Sequence, residues 1–417
     1  MQSFEHSAVS SGAAGIARSW ALLQATNAVL LAGPLPEPRI THLSKFDMHR
    51  FREQLSKLRG EHATVWSRNL LGTTAERAVH VLRRASTYRS RTGFGDARTF
   101  REMVARFDAL LASDGPIVLA LPLGGGKAPN ATKTGWNYLP DASEWTAWTM
   151  LAALADALVM TTGRAVQVMT VPDAGLHTAD LGFPGVEYAA HVRQAAADLE
   201  WLGIQNVTVP DTLAHLPRGW SEEVAARAFA ATAKLLSDEP ARQAFESQLS
   251  ALLFIRNLRV AGWDLQRQIL VTSALGAAET GLPSDVLGDA ELIRSTTRLH
   301  TAHYIGVNHA LRTLEVPQHM AKILHGSEAM LRLTVHAKSG EARPNLVPDG
   351  KLSRPGLLPM HGVGVVNRSQ TRWEFGTEFE LEAVMAAQRK LVAPDGRFVA
   401  FEVDNAAKAS AVVRLAA

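Results

Sequence analysis

The sequence predicts an α/β protein, with a Rossmann-like parallel sheet as its core, a helical N-terminal region and a C-terminal α+β unit. Three observations predict it. From about residue 115 to 215 short apolar runs alternate with amphipathic stretches, a β-α-β-α-β series that implies parallel strands joined by right-handed crossovers. The first run, PIVLALPL from Pro116 to Leu123, is apolar throughout, as a strand covered on both faces is. On either side of this series the periodicity changes, to helical spacing before it and to alternating runs near the C-terminus.

Residues 1–112 form the helical region. Phe51, Leu55 and Leu58, then Ala75, Ala78, Val79 and Leu82, recur at helical spacing with arginines between them, and no alternating run is long enough for a strand. The Pro-rich GPLPEPR, Gly33 to Arg39, is a linker or an extended arm. The core spans residues 113–326. After its first strand, Asp141 to Met160 reads as a helix: Asp141 and Glu144 have capping-box spacing, and Trp148, Leu151, Ala152, Ala155 and Leu158 share one face, with Trp145 at its N-terminal edge. Ala165–Val171 is the second strand, Gly185–Leu202 a second amphipathic helix and Asn206–Asp211 a third strand. A helical extension follows from 221 to about 326. In the C-terminal unit, 327–417, the segments Leu331–Ala337, His361–Asn367, Thr371–Phe375 and Arg397–Asp404 read as strands, with a helix near Phe379 to Leu391.

Composition narrows the function. The 417 residues are 47% hydrophobic and 20% charged, which excludes disordered, collagen-like and coiled-coil classes. Lys and Arg number 43 against 40 Asp and Glu, and a formal charge of +3 over this length makes no nucleic-acid surface. The absence of cysteine removes disulfides, thiolate metal sites and Cys nucleophiles. No apolar run reaches the ~20 residues of a membrane span. The apolar stretch Ser19 to Gly33 follows Arg18, but Gln24 and Asn27 interrupt it, so it is not read as a secretory signal. The expected address is the cytoplasm, with no nucleic-acid or membrane partner.

In an open parallel sheet, ligands bind outside the carboxyl ends of the strands, where loops diverge and helix N-termini present free N–H groups. The first strand runs into LPLGGGKAPNATKTG, Leu121 to Gly135. Gly124, Gly125 and Gly126 let the backbone approach an anion, and Lys127 and Lys133 add positive charge beside them. A flexible turn with two solvated lysines uses the same residue types. The stretch is not a nucleotide phosphate loop, because Ala128 and Pro129 follow the lysine, and it lacks the dinucleotide glycine spacing. The second strand ends at Pro172-Asp173 and the third at Pro210-Asp211. Asp173 is a candidate acid or base; for Asp211 helix capping is the favoured role.

These residues together resemble the pyoverdine/dityrosine biosynthesis family, whose best-known members are isonitrile (isocyanide) synthases. Lys127, Pro129, Asn130 and Lys133, then Pro140, Asp141 and Glu144, match the family's Lys, Pro-Asn, Lys and Pro-Asp-x-x-Glu order. Arg332-Leu333-Thr334-Val335-His336 is similar to its R-L-S-x-H strand, and Met360-His361-Gly362-Val363 to its W-H-G-V strand. The resemblance spans roughly residues 50 to 405. The chain departs from the pattern in the triple glycine, in a loop lengthened by Trp136 to Tyr138, and in Met360 where Trp is usual.

The resemblance implies an enzyme of natural-product biosynthesis that condenses an amino-acid amine with the C2 carbonyl of ribulose 5-phosphate, a co-substrate, without a cofactor or metal. That reaction needs a phosphate to be held, which the Gly124, Gly125 and Gly126 backbone with Lys127 and Lys133 can do, with Asn130 and Glu144 as further substrate-binding candidates. Arg332 or Arg343 suits the amino-acid carboxylate, since a planar guanidinium pairs with it through two bonds. Proton transfer needs a group titrating near neutrality; His361 is the first candidate and His336 the second, with Lys127 and Asp173 beside them. A later oxidative step falls to a separate downstream enzyme, an Fe(II)/2-oxoglutarate oxygenase, because no HxD/E pair with a distant His is found in this chain. Two other readings remain open: a diverged member that modifies an amino acid or its conjugate by another reaction, and a non-catalytic binding protein on the same fold.

Other signals are weaker. His300 and His303 share a helical face, but His309 falls elsewhere on it, which disfavours a metal site. Trp148 reads as core packing and Trp136 as a loop residue near substrate. The arginines 83, 84, 89 and 91 read as a solvated helix end rather than an RNA contact.

Overall fold

The computed structural model describes residues 43–87, 96–123, 139–171, 185–237, 306–307, 309–335, 341–348, 362–371, 373–377 and 389–403. It opens with β1 (Leu43–Lys45) and three helices, α1 (Met48–Ser67), α2 (Thr74–Ala85) and α3 (Ala97–Ala112). Each helix begins at a side-chain cap: Asp47 accepts from the Arg50 amide, Thr73 and Glu76 form a reciprocal box, and Asp96 accepts from Arg98 and Thr99.

The α/β core follows in the order β2 (Ile117–Leu121), α4 (Ala142–Thr162), β3 (Val166–Thr170), α5 (Gly185–Leu202), β4 (Val207–Thr208), α6 (Thr212–His215), α7 (Trp220–Ser237), α8 (Val316–His325) and β5 (Met330–Arg332). The four strands lie in the order β4-β3-β2-β5, every pair parallel. Helices cover both faces. Ile117, Leu119 and Leu121 pack with residues of α1 to α5, while Val118, Ala120 and Met169 pack with Val224 and Ala228 of α7 and Val316 and Met320 of α8. This is why β2 reads as a continuous apolar run: both of its faces are inside.

Helix α4 is enclosed on all sides. Every residue from Ala142 to Ala155 is buried, where the sequence predicts a single apolar stripe. The difference comes from α1 and α2, which pack along it on the side away from the parallel sheet, and from a second sheet that adds to this cover through its strand Gly362–Asn367. That sheet contains β6 (Gly362–Asn367), β7 (Trp373–Thr377), β8 (Arg389–Val392) and β9 (Phe398–Val403) in the order β1-β8-β9-β6-β7, with parallel and antiparallel pairs mixed. Phe46 and Phe51 from the N-terminal region, Trp145 of α4 and Trp373 of β7 form the aromatic joint between the sheets. Gly364 sits tightly at this joint, since a Cβ there would stand 3.2 Å from the Ala142 Cβ, closer than an ordinary contact.

Three elements depart from the sequence reading. Leu43–Lys45 is a strand in a region read as wholly helical; three residues carry too little alternation to show, and its partner is β8, far along the chain. The strand Met330–Arg332 is grouped by sequence with the C-terminal unit, yet it pairs with β2 in the parallel sheet, and Leu331 and Leu333 join the core around α4. The helix read near Phe379 to Leu391 meets strand β8 from Arg389 onward, because that segment is held between β1 and β9; residues 378–388 lie outside the described residues. Among the described residues no helix is long and apolar enough to cross a membrane.

Candidate functional site

The strand order locates a crevice. From β2 the chain steps outward through α4, β3 and α5 to β4, on one face of the sheet. It then returns through α7 and α8 on the other face, and β5 lands on the opposite side of β2. The winding therefore reverses between β2 and β5, and at such a switch point the connections leave the carboxyl ends in opposite directions and open a cleft. Arg332 pairs with Ala120 in register, and the Leu333 amide donates to the Ala120 carbonyl at 2.8 Å, so the two strands leave the sheet side by side.

The N-terminus of α4 stands at this edge. Asp141 accepts from the Ser143 amide at 2.8 Å, and Glu144 Oε2 accepts from the Asp141 amide at 3.1 Å. Both carboxylates are buried, 1% and 4% exposed, where the helix dipole favours negative charge. Glu144 thus serves as the capping-box partner as well as a named substrate-site candidate. Arg332, half-buried, lies on the sheet face that carries Met330, opposite α4. The Thr334 amide donates to the Ala342 carbonyl at 3.0 Å, and the Thr87 amide to the Arg343 carbonyl at 2.9 Å, so the segment bearing Arg343 runs between the end of α2 and the chain leaving β5.

Glu144, Arg332 and Arg343 are the site candidates within the described residues. Gly124, Gly125, Gly126, Lys127, Asn130, Lys133, Asp173, His336 and His361 lie outside them, as do Trp136, His300 and His303. Their described neighbours in sequence, Leu123, Val171 and Val335, are buried just past the carboxyl ends of β2, β3 and β5. Beyond His361, β6 passes the first residue of α4 through the Gly364–Ala142 contact.

Two polar residues at this end escaped the sequence reading. Tyr188 and His191 on α5 are each 2% exposed. Asp198, two turns further along α5, accepts from Trp145 Nε1 in the first turn of α4 at 2.6 Å. Helices of successive βαβ units run in the same direction, so the turns of α5 that carry Tyr188 and His191 extend beyond the start of α4, over the carboxyl edge. A titratable residue on the inner stripe of an amphipathic helix is the signal that could have found His191. Elsewhere, Arg84 Nη1 donates to the carbonyls of Val65, Trp66 and Arg68 and so closes the C-terminus of α1. Trp148 is buried in the core and His309 is exposed. Among the described residues no three His, Asp or Glu side chains form a metal-binding group.

The chain matches no protein-family profile and no curated protein. Its fold is similar to the crystal structure of the PvcA protein from Pseudomonas aeruginosa, at 16% identity and a TM-score of 0.56, over 79% of this chain and 100% of that one. At this identity the likeness is one of fold, and it agrees with the α/β architecture described above.

Proposed function

We propose that the chain is a biosynthetic enzyme of the isonitrile-synthase type, joining the amine of an amino acid to the C2 carbonyl of ribulose 5-phosphate. One observation carries the reading: of the segments that resemble the pyoverdine/dityrosine biosynthesis family, Lys127–Glu144 follows β2 and Arg332–His336 starts at the end of β5, the two strands that flank the switch point, while Met360–Val363 leads into β6 of the second sheet. Clusters more than 180 residues apart in sequence are thereby drawn from neighbouring strands. The fold shared with PvcA supports the family at the level of fold.

On this reading Lys127, Lys133 and the amides of Gly124, Gly125 and Gly126 bind the sugar phosphate, with Asn130 and Glu144 beside them. Arg332 or Arg343 binds the amino-acid carboxylate. His361 takes the ammonium proton, so that the neutral amine attacks the C2 ketone; His336 or Asp173 returns a proton as water leaves. This condensation gives the C2 imine; the isonitrile is released from it when the C1–C2 and C2–C3 bonds break and the remaining sugar carbons and the phosphate leave as separate products, and it then passes to a separate oxygenase in the cytoplasm. The test is incubation with candidate amino acids and ribulose 5-phosphate, with isonitrile trapped by a tetrazine. Absence of the trapped adduct with every amino acid overturns the reading. Within it, Lys127→Ala should lower kcat/KM at least about tenfold, the size of one charge-assisted contact. His361→Asn should lower kcat by about a hundredfold or more while leaving phosphate binding in place.

A further inference from the structure

A buried ion pair joins the two sheets beside the start of α4. Arg397, immediately before β9, donates through Nη1 to Asp198 Oδ2 at 2.7 Å and through Nη2 to Oδ1 at 3.1 Å, and the two side chains are 5% and 4% exposed. Asp198 also accepts from Trp145 Nε1 at 2.6 Å and from Gln194 Nε2 at 2.9 Å, so both its oxygens are occupied twice. The guanidinium lies over the Trp145 ring, 5.2 Å from its centroid, and Nη1 reaches the Pro140 carbonyl at 3.4 Å. Asp395 stands 3.4 Å from Nε.

We infer that Arg397 and Asp198 are positioning residues for the site at the carboxyl edge. Pro140 is where the chain enters α4, and the capping carboxylates Asp141 and Glu144 follow at once. By gripping Pro140 and Trp145 together, the pair sets the entry angle of α4 and hence the placement of both carboxylates. Asp198 already accepts four hydrogen bonds, and the Arg397 side chain is 5% exposed with its Nη atoms committed to Asp198 and the Pro140 carbonyl, so the pair acts through its neighbours.

Stability alone is a poor account of it. Burying a charged pair costs desolvation that roughly offsets its attraction, whereas a two-bond guanidinium–carboxylate contact is strongly directional. A second two-bond pair, between α1 and α4, shows the contrast. Arg59 is also bidentate to Asp156, at 2.6 and 3.0 Å, but these side chains are 25% and 31% exposed and lie near Asn206 and Gly203, at the opposite end of α4. That pair lies where no candidate site residue is described.

The catalytic consequence rests on the proposed reaction; the positioning itself does not, and the experiment separates them. The double variant D198N/R397M removes both charges but leaves an acceptor for Trp145. It should melt within a few degrees of wild type, while amide hydrogen exchange at Asp141–Glu144 speeds up at least tenfold with exchange in β2 and β3 unchanged. Exchange at Asp141–Glu144 within twofold of wild type overturns the inference. R397K, which keeps the charge but not the two-bond geometry, serves as the second variant if the double one does not fold, and should show the same local acceleration. With tyrosine or tryptophan and ribulose 5-phosphate, kcat should fall at least tenfold with KM for the sugar changed less than threefold. A wild-type protein inert toward these substrates counts against the proposed reaction, and the exchange result still decides the positioning.

Discussion

The two sheets exclude water by different chemistry. In the parallel sheet, β2 buries five consecutive apolar residues, and the helices on both faces answer with Ala, Val, Leu and Met. In the mixed sheet the buried set includes Lys390, Glu374 and Glu402, each 4–6% exposed, with Arg397 just ahead of β9. Apolar burial is non-directional and tolerates small shifts, but buried charges require partners at fixed angles. The first sheet is therefore a stable platform, and the second a more exacting one, joined to it through α4 and the aromatic residues around Trp145.

The largest test of this contrast is at the joint. Trp145→Ala should cost ~3–5 kcal/mol, as loss of a buried Trp does, and both sheets should unfold together in a single transition by urea titration followed by circular dichroism. Two separate transitions would show that the sheets are independent. Gly364→Val places new atoms where Ala142, Phe375 and Trp373 already stand, and overpacking of this kind should cost about 1–3 kcal/mol, read from the urea midpoint.

Lys390 sharpens the contrast with the opposite sign. Burial lowers its pKa from 10.5 to about 8. The folded protein therefore resists a charge that the unfolded chain accepts, and stability should rise as pH climbs from about 8 toward 10.5. Lys390→Met should stabilise by ~2 kcal/mol at pH 7, and the gain should vanish near pH 10.5 in matched melting curves. The smallest effect lies outside both sheets: Thr73→Ala breaks the exposed capping box of α2 and should cost about 1 kcal/mol, additive with Gly364→Val.

The same difference decides how much could be read from the sequence. The parallel sheet is announced by β2, by β3 and by the Asp141–Glu144 box, all local patterns that survive folding nearly unchanged; α5 spans the residues the amphipathic pattern predicts. In the mixed sheet β6, β7 and β9 were legible as alternating or apolar runs, but the pairs that complete it, β1 with β8 and β6 with β9, join segments that no local window contains. Leu43–Lys45 has no strand signal without β8 beside it, and β5 changes allegiance because its partner is β2. At the candidate site, the Asp141–Glu144 spacing was legible because a cap is a local device. Tyr188 and the Arg397–Asp198 pair were not, since an amphipathic helix looks the same whether its inner stripe meets a core or a cleft; only His191 carries a local signal, a titratable residue on the inner stripe of α5.

The edge strand β1 bears on how the chain is made. The Asp47 amide donates to the side chain of Gln370, 323 residues later, and Leu43 pairs with Lys390 beyond it. A ribosome adding ~5–20 residues per second delivers β1 long before β8 exists, so this strand must wait, unpaired, through most of synthesis. The parallel sheet needs only residues up to β5 and can form first; the mixed sheet can close only when β8 emerges and captures a segment made at the outset. Closure of so long a loop is slow, and an unpaired strand edge is a template for association with another nascent chain. Expression yield in cells should therefore respond to chaperone supply more sharply than the stability of the finished fold suggests.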